Sequence, residues 1–195
     1  MGEIRTVAVI GAGTAGRDIA RAALLAGYRT ILQDILPSKL RKAEAELRED
    51  SARLEYASTV EDAARQADLA IEAVPDELES KIEIFTLLDK ICRPATILAT
   101  ITATLSVSEI ASVTYRPEKC IGMKFVVPAH TMTTLELMRG AQTNEETVEA
   151  CVEFGRKIVA ANQQNQNLTT ETSFGCGRMA TSPRGQATRH GEGKK

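Results

Sequence analysis

Thr6–Ile10 (TVAVI) is an unbroken apolar or β-branched run that ends in a glycine turn, Gly11-Ala12-Gly13-Thr14-Ala15-Gly16. An alanine- and leucine-rich stretch, 15–26, follows and stops at Gly27. A strand with no polar alternation is buried on both faces, which happens inside a parallel sheet covered by helices on either side. The turn has the form G-x-G-x-x-G, and here it joins a strand to a helix, the context that gives the string meaning. Gly11 would permit the tight turn, Gly13 would let a ligand approach the backbone, and Gly16 would let the helix pack on the strand. Ala12, Thr14 and Ala15 lie between them, where the unpaired N–H groups and positive end of a helix favour phosphate. The competing reading is a glycine turn that only packs helix against strand.

A dinucleotide site of this kind also needs an acid at the end of the second strand, about 20 residues on. Asp34 stands 18 residues after Gly16. Its carboxylate would accept hydrogen bonds from the adenosine ribose and repel a 2′-phosphate. The next residues are Ile35 and Leu36, with no Arg to hold such a phosphate. The expected cofactor is therefore NAD rather than NADP.

Strand and helix signals alternate over the first 160 residues, the pattern of a parallel α/β sheet. Strands are expected at 29–33, 54–58, 68–74, 96–100, 119–127 and 135–138. Pro37 suits a first helical turn, and Leu40, Ala43 and Leu47 share one helical face. Leu78, Ile82, Phe85, Leu88 and Ile91 mark an amphipathic helix. Ser106 with Glu109, and Thr143 with Glu146, read as capping boxes, the second opening a helix to about residue 159. The fold class expected is a doubly wound, mainly parallel α/β sheet of the Rossmann type over 1–160. Residues 161–195 read as a polar, disordered tail: a low-complexity run at 162–167 is followed by a segment almost without large apolar residues.

The charge balance narrows the function classes. The 195 residues hold 24 Lys+Arg and 26 Asp+Glu, a formal net charge of -2. Five of those basic residues and one acid fall in 175–195, so the body is acidic. That argues against a nucleic-acid partner, which would meet a basic face. No run approaches the roughly 20 apolar residues of a membrane span, and no signal peptide is seen. Cys92, Cys120, Cys151 and Cys176 form no CxxC pair. They read as reduced thiols of a cytoplasmic protein, and no metal-ligand set is apparent.

From residue 6 to about 159 the sequence resembles the NAD-binding domain of the L-3-hydroxyacyl-CoA dehydrogenases. The resemblance rests on VAVIGAGTAG (7–16), IEAVPDELESK (71–81), RPATILAT (93–100), TLSVSEIA (104–111) and RPEKCIGMKF (116–125), in family order and spacing. It implies cofactor contacts by Gly11–Gly16 and Asp34, by Asp76 near the nicotinamide ribose, and by Lys81. For these last two, a helix cap at Asp76 and a solvated Lys81 are open alternatives. It implies oxidation of a 3-hydroxyacyl thioester by hydride transfer to NAD. It also implies an all-helical C-terminal domain; none is expected within these 195 residues, so a second copy or a separate helical partner would have to replace it. The segment 38–53 is short where the family often carries a helical hairpin over the CoA end.

The catalytic positions depart from the family. Its N-T-S-S-L segment reads Ile101-Thr102-Ala103-Thr104-Leu105, placing Ala103 at the substrate serine. Its H-F-F-N-P reads Lys124-Phe125-Val126-Val127-Pro128, placing Lys124 at the histidine and Val127 at a cofactor-side asparagine. The orienting glutamate is kept as Glu136, twelve residues after Lys124. Lysine amines start near ~10.4, and a nearby carboxylate favours their charged form, so a lysine is a poor proton acceptor there. The candidate catalytic residues are Lys124 and Glu136, with His130 a loop alternative. Three readings stay open: a 3-hydroxyacyl-CoA dehydrogenase domain, impaired or incomplete; an NAD-binding module or truncated remnant without the chemistry; and a dehydrogenase with Lys124 as a true base.

Overall fold

In the computed structural model, which describes residues 2–125 and 134–174 (backbone alone for 49–51 and 165–174), every expected strand forms. Those strands are β1 (Thr6–Ile10), β2 (Arg29–Gln33), β3 (Leu54–Ala57), β4 (Leu69–Glu72), β5 (Ile97–Ile101), β6 (Cys120–Phe125) and β7 (Leu135–Arg139). They make one sheet in the order β3-β2-β1-β4-β5-β6-β7. All pairings are parallel except β6 with β7, which is antiparallel. Strand order reverses between β1 and β4, and the crevice above that point is where such sheets take ligands.

Alternation along each strand sends side chains to two cores. Val7, Val9, Leu69, Ile71 and Ile97 face one side, where α1 (Thr14–Leu25) and α6 (Glu145–Phe174) supply Ile19, Ala23, Phe154 and Ile158. Ala8, Ile10, Ala70 and Leu98 face the other, against Phe85 and Leu88 of α4 (Leu78–Ile91) and Ile110 of α5 (Val107–Ala111). Each large aliphatic side chain so buried contributes about 1.5–3 kcal/mol. Only a strand apolar on both faces can sit there, so the TVAVI run occupies the sheet centre. Tyr28 meets Phe154 with ring centroids 5.2 Å apart and the rings tilted at 46°, which ties α6 to the turn between α1 and β2.

α2 (Pro37–Glu46) starts at Pro37 and buries Ala43 as expected, and α3 (Val60–Ala64) is capped by the Thr59 hydroxyl. Ser106 caps α5, accepting the Glu109 N–H. The second capping box does not form. Asn144 takes that role by accepting the Thr147 N–H at 2.9 Å. Thr143 Oγ1 is instead used to donate to Cys120 O and to accept the Gly140 N–H, tying the turn to β6. α6 also runs through the polar stretch to Phe174 rather than ending near 159. Gln is a good helix former, and the buried Asn162 amide donates to Ile158 O one turn back. The tail expectation for 175–195, and the readings of Val127 and His130, lie outside the described residues. No helix among the described residues is long and apolar enough to cross a membrane.

The three described thiols are buried, and burial pushes Cys92 and Cys120 up to about 11 and Cys151 to about 12. Their protons are kept in the folded state at pH values where the unfolded chain has lost them, so stability falls as pH rises from about 9 toward 12. Each thiol is expected to withdraw about 1 kcal/mol by pH 10. Melting temperatures recorded from pH 7.5 to 10.5 should decline. A thiol reagent should reach these three only in denaturant, and rapid labelling of the native chain at all of them would contradict the burial.

Candidate functional site

The glycine turn leaves β1 at the sheet centre with Gly11 at φ +106, a left-handed conformation that disfavours side chains. A methyl on Gly11 would stand 2.9 Å from Ala73 O, since the turn passes close over the end of β4. A methyl on Gly16 would lie 1.8 Å from Gly11 O, so α1 packs directly on the turn. Gly13 is different: a methyl there meets nothing within 4 Å, because its Cα faces open space. The first intrahelical bond of α1 runs from Arg17 N–H to Gly13 O at 3.0 Å. The N–H groups of Thr14, Ala15 and Gly16 therefore have no acceptor in the helix and are directed at that space. Arg17 holds the turn from behind, donating to Ala12 O at 2.9 Å and to Glu46 at 2.6 Å. This open, N–H-lined cradle fits a pyrophosphate.

Asp34 follows β2 and is 5% exposed. Its Oδ2 accepts the Ala12 N–H at 2.9 Å, and its Oδ1 accepts the Leu36 N–H at 2.9 Å. These bonds aim the carboxylate along the rim of a cleft of about 480 Å³ that also touches Gly13, Ile35, Val60 and Ile84. The apolar Ile35, Val60 and Ile84 suit an adenine ring, and Asp34 suits its ribose. A basic residue does stand near Asp34, three positions beyond Leu36. Lys39, in the first turn of α2, brings Nζ to 3.3 Å from Asp34 Oδ2 and lines the same cleft.

The cleft continues past Ala15, Ala73 and Val74 into a second lobe of about 280 Å³ bounded by Asp76, Ala103, Lys124 and Phe125. Behind the lining residues Val74 and Ile101 lies a buried ion pair that chain spacing does not reveal. Glu72, the last residue of β4, is wholly buried, as is Lys81 of α4. Lys81 Nζ lies 2.9 Å from both Glu72 oxygens and donates to Ile101 O at 2.7 Å. Glu72 also accepts the Thr100 hydroxyl and the Val74 N–H, each at 2.7 Å. Burial holds the Glu72 carboxyl above the usual carboxylate range, against the pull of Lys81, Thr100 and Val74. One network thus ties together the ends of β4 and β5, the loop after β4, and α4.

Lys81 is therefore not a solvated helix residue. Its ammonium is used on protein acceptors, so it acts on the cleft through what it holds. Asp76 is part-exposed on the cleft wall, 3.7 Å from Lys81 Nζ and 3.5 Å from the Ala103 N–H. It does not cap α4, whose N-cap is Glu77. The signal for Glu72 was present: an acid interrupts the otherwise apolar run 69–74, and an acid buried there needs a cation within reach.

At the far wall the antiparallel register sets Lys124 opposite Glu136. Lys124 Nζ donates to Glu136 Oε2 at 2.9 Å, with the two side chains 44% and 51% exposed. The expected pair is thus formed, at the mouth of the lobe and beside Ala103. Thr102 keeps its hydroxyl for the turn, accepting the N–H groups of Thr104 and Leu105. Among the described residues, no group of three His, Cys, Asp or Glu side chains is placed to hold a metal ion.

Residues 6–162 match the family model described as "3-hydroxyacyl-CoA dehydrogenase, NAD binding domain". The chain is 37% identical over 174 residues to a probable 3-hydroxybutyryl-CoA dehydrogenase of Bacillus subtilis (strain 168), a match covering 80% of this chain and 60% of that one. A 3-hydroxybutyryl-CoA dehydrogenase of Bradyrhizobium diazoefficiens is 33% identical over 172 residues, covering 80% and 59%. Among solved structures, (S)-3-hydroxybutyryl-CoA dehydrogenase PaaH1 from Ralstonia eutropha superposes with a TM-score of 0.76 at 29% identity, over 80% of this chain and 61% of that one. The chain thus spans about 60% of the length of these relatives.

Proposed function

Starting from a chain that belongs to the 3-hydroxyacyl-CoA dehydrogenase family and forms its NAD-binding domain, we propose that it holds NAD for hydride exchange with a 3-hydroxyacyl thioester, with the chemistry itself impaired. The observation that carries this reading is the contrast between the two ends of the cleft. At one end the glycine turn, the free α1 N–H groups and the anchored Asp34 are intact. At the other, the proton-transfer position holds a lysine already donating to Glu136, beside an alanine with no hydroxyl to hold a substrate oxygen. A lysine ammonium has protons to give and no lone pair to accept one. It can pass a proton to the oxygen of a ketone whose carbon receives hydride, but it does not take one from a hydroxyl.

Asp34 binds the adenosine ribose in this reading, Asp76 contacts the ribose near the nicotinamide, and Lys81 holds the wall that carries Asp76. A helical partner domain or a second copy covers the substrate lobe in this reading. Calorimetric titration with NAD, followed by an NADH-absorbance assay with acetoacetyl-CoA, tests the proposal. NAD should bind, and turnover should fall about 10²–10⁴-fold short of what an effective general base supplies. Any residual rate should respond to Lys124→Ala. Absence of NAD binding would end the reading, and brisk turnover would remove the impairment. NAD binding with no turnover at all would leave a cofactor-binding module, the reading favoured by Ala103 and Lys124 together.

A further inference from the structure

Asp34 is not an unopposed carboxylate, and that bears on which dinucleotides the cleft takes. Discrimination against a 2′-phosphate arises because an acid at this position repels the second anion. Here Lys39 Nζ sits 3.3 Å from Asp34 Oδ2 and offsets its charge. The two groups differ in access: Asp34 is nearly sealed, whereas the Lys39 side chain is 45% exposed at the rim of the same cleft. Asp34 is fixed by the backbone N–H groups of Ala12 and Leu36, so it does not depend on Lys39 for its position. The ammonium is free to swing on its four-carbon stem toward whatever projects from the ribose.

We propose that Lys39 is a specificity-determining residue that receives the 2′-phosphate of NADP, so that this chain binds both NAD and NADP with narrowed discrimination. The proposal rests on the dinucleotide reading of the cleft. A ribose hydroxyl bonded to Asp34 Oδ2 would lie beside the lysine ion-paired with that same oxygen. A phosphate ester on that hydroxyl then exchanges a carboxylate partner for a more highly charged one. Only Lys39 moves, and the backbone bonds to Asp34 stay in place. Charge-assisted contact with phosphate is the stronger kind of hydrogen bond and falls with salt.

The test is titration of the full chain and its Lys39→Ala and Lys39→Arg variants with NAD and with NADP, at low and at physiological ionic strength. NADP should bind the unaltered chain within about tenfold of NAD. Lys39→Ala should weaken NADP about tenfold while moving NAD less than threefold, and should flatten the salt dependence of NADP. Lys39→Arg should keep NADP, which also covers the case in which alanine loosens α2. The proposal is overturned if NAD binds and NADP does not, or if Lys39→Ala weakens both nucleotides alike or leaves NADP untouched. If neither nucleotide binds the unaltered chain, the dinucleotide reading itself falls, and this inference falls with it.

Discussion

Gly16→Ala is expected to abolish NAD binding and to destabilise the fold, whereas Gly13→Ala is expected to weaken binding and leave the fold alone. The two glycines belong to one motif, three residues apart, yet their surroundings are opposite. A methyl at Gly16 would lie 1.8 Å from Gly11 O and 3.0 Å from Gly11 C, both backbone atoms of a turn already held by the Gln33 carbonyl and the end of β4. No side chain can rotate away to make room, so α1 must lift from the turn. Overpacking of this kind costs ~3 kcal/mol or more, about 6–12 °C in melting temperature for a domain of this size. At Gly13 the methyl meets no protein atom, and φ is -65, which alanine adopts freely. Stability should stay within about 1 kcal/mol. The methyl would instead occupy the space through which a pyrophosphate reaches the α1 N–H groups, weakening NAD about 10- to 100-fold through the lost charge-assisted bonds. Melting curves and NAD titrations on both variants check this. Equal melting temperatures for the two, or wild-type NAD affinity in Gly13→Ala, would contradict the geometry.

Lys81→Met should be the most damaging single change outside the glycine turn. It keeps the length of the side chain but strands a buried carboxylate. Glu72 would retain only the Thr100 hydroxyl and the Val74 N–H, and Ile101 O would lose its donor. Removing one partner of a buried pair costs about 3–5 kcal/mol, because the other charge is left without water or counterion. The deficit carries its own pH signature. Burial already raises the Glu72 carboxyl, and loss of the ammonium that opposes this raises it further. A carboxyl raised above its unfolded value contributes its stability in full below that value, near ~4.3, and loses it as pH rises through the folded value. The difference in melting temperature between wild type and Lys81→Met should therefore be large at pH 8 and narrow toward pH 5. The double variant Glu72→Gln with Lys81→Met should recover part of the loss at pH 8. A deficit that does not change with pH would mean that Glu72 is not the group left uncompensated.

NAD affinity should fall with the stability of Lys81→Met, since the same network supports the wall that carries Asp76. Lys81 thus has a role at the cleft, but an indirect one. Spacing places it five residues beyond Asp76, which suits a cofactor contact or a solvated lysine equally. What decides is the depth of the position, and that depends on how α4 lies across the ends of β4 and β5.

Local sequence was sufficient wherever the determining interaction is short in range. The buried strand, the glycine turn and Asp34 are recognisable because strand burial, turn geometry and spacing are properties of contiguous residues. Lys124 and Glu136 were implied together by the resemblance to the family rather than by a local rule, and the antiparallel register of β6 and β7 sets them opposite each other. Even locally the reading had limits: the cap of α6 passed from Thr143 to Asn144 because the Thr143 hydroxyl found a better use on β6.

The sequence alone thus determined the Rossmann architecture and the glycine-turn cradle. The tertiary structure alone decided that Lys81 is buried against Glu72, that Thr100 and Ile101 complete that network, and that Lys39 confronts Asp34. The physical reason is the same in each case. A charged side chain does nothing specific until the fold sets its distance from another charge and its distance from water, and those distances arise between elements, across sheet order and helix packing, where spacing along the chain carries no information.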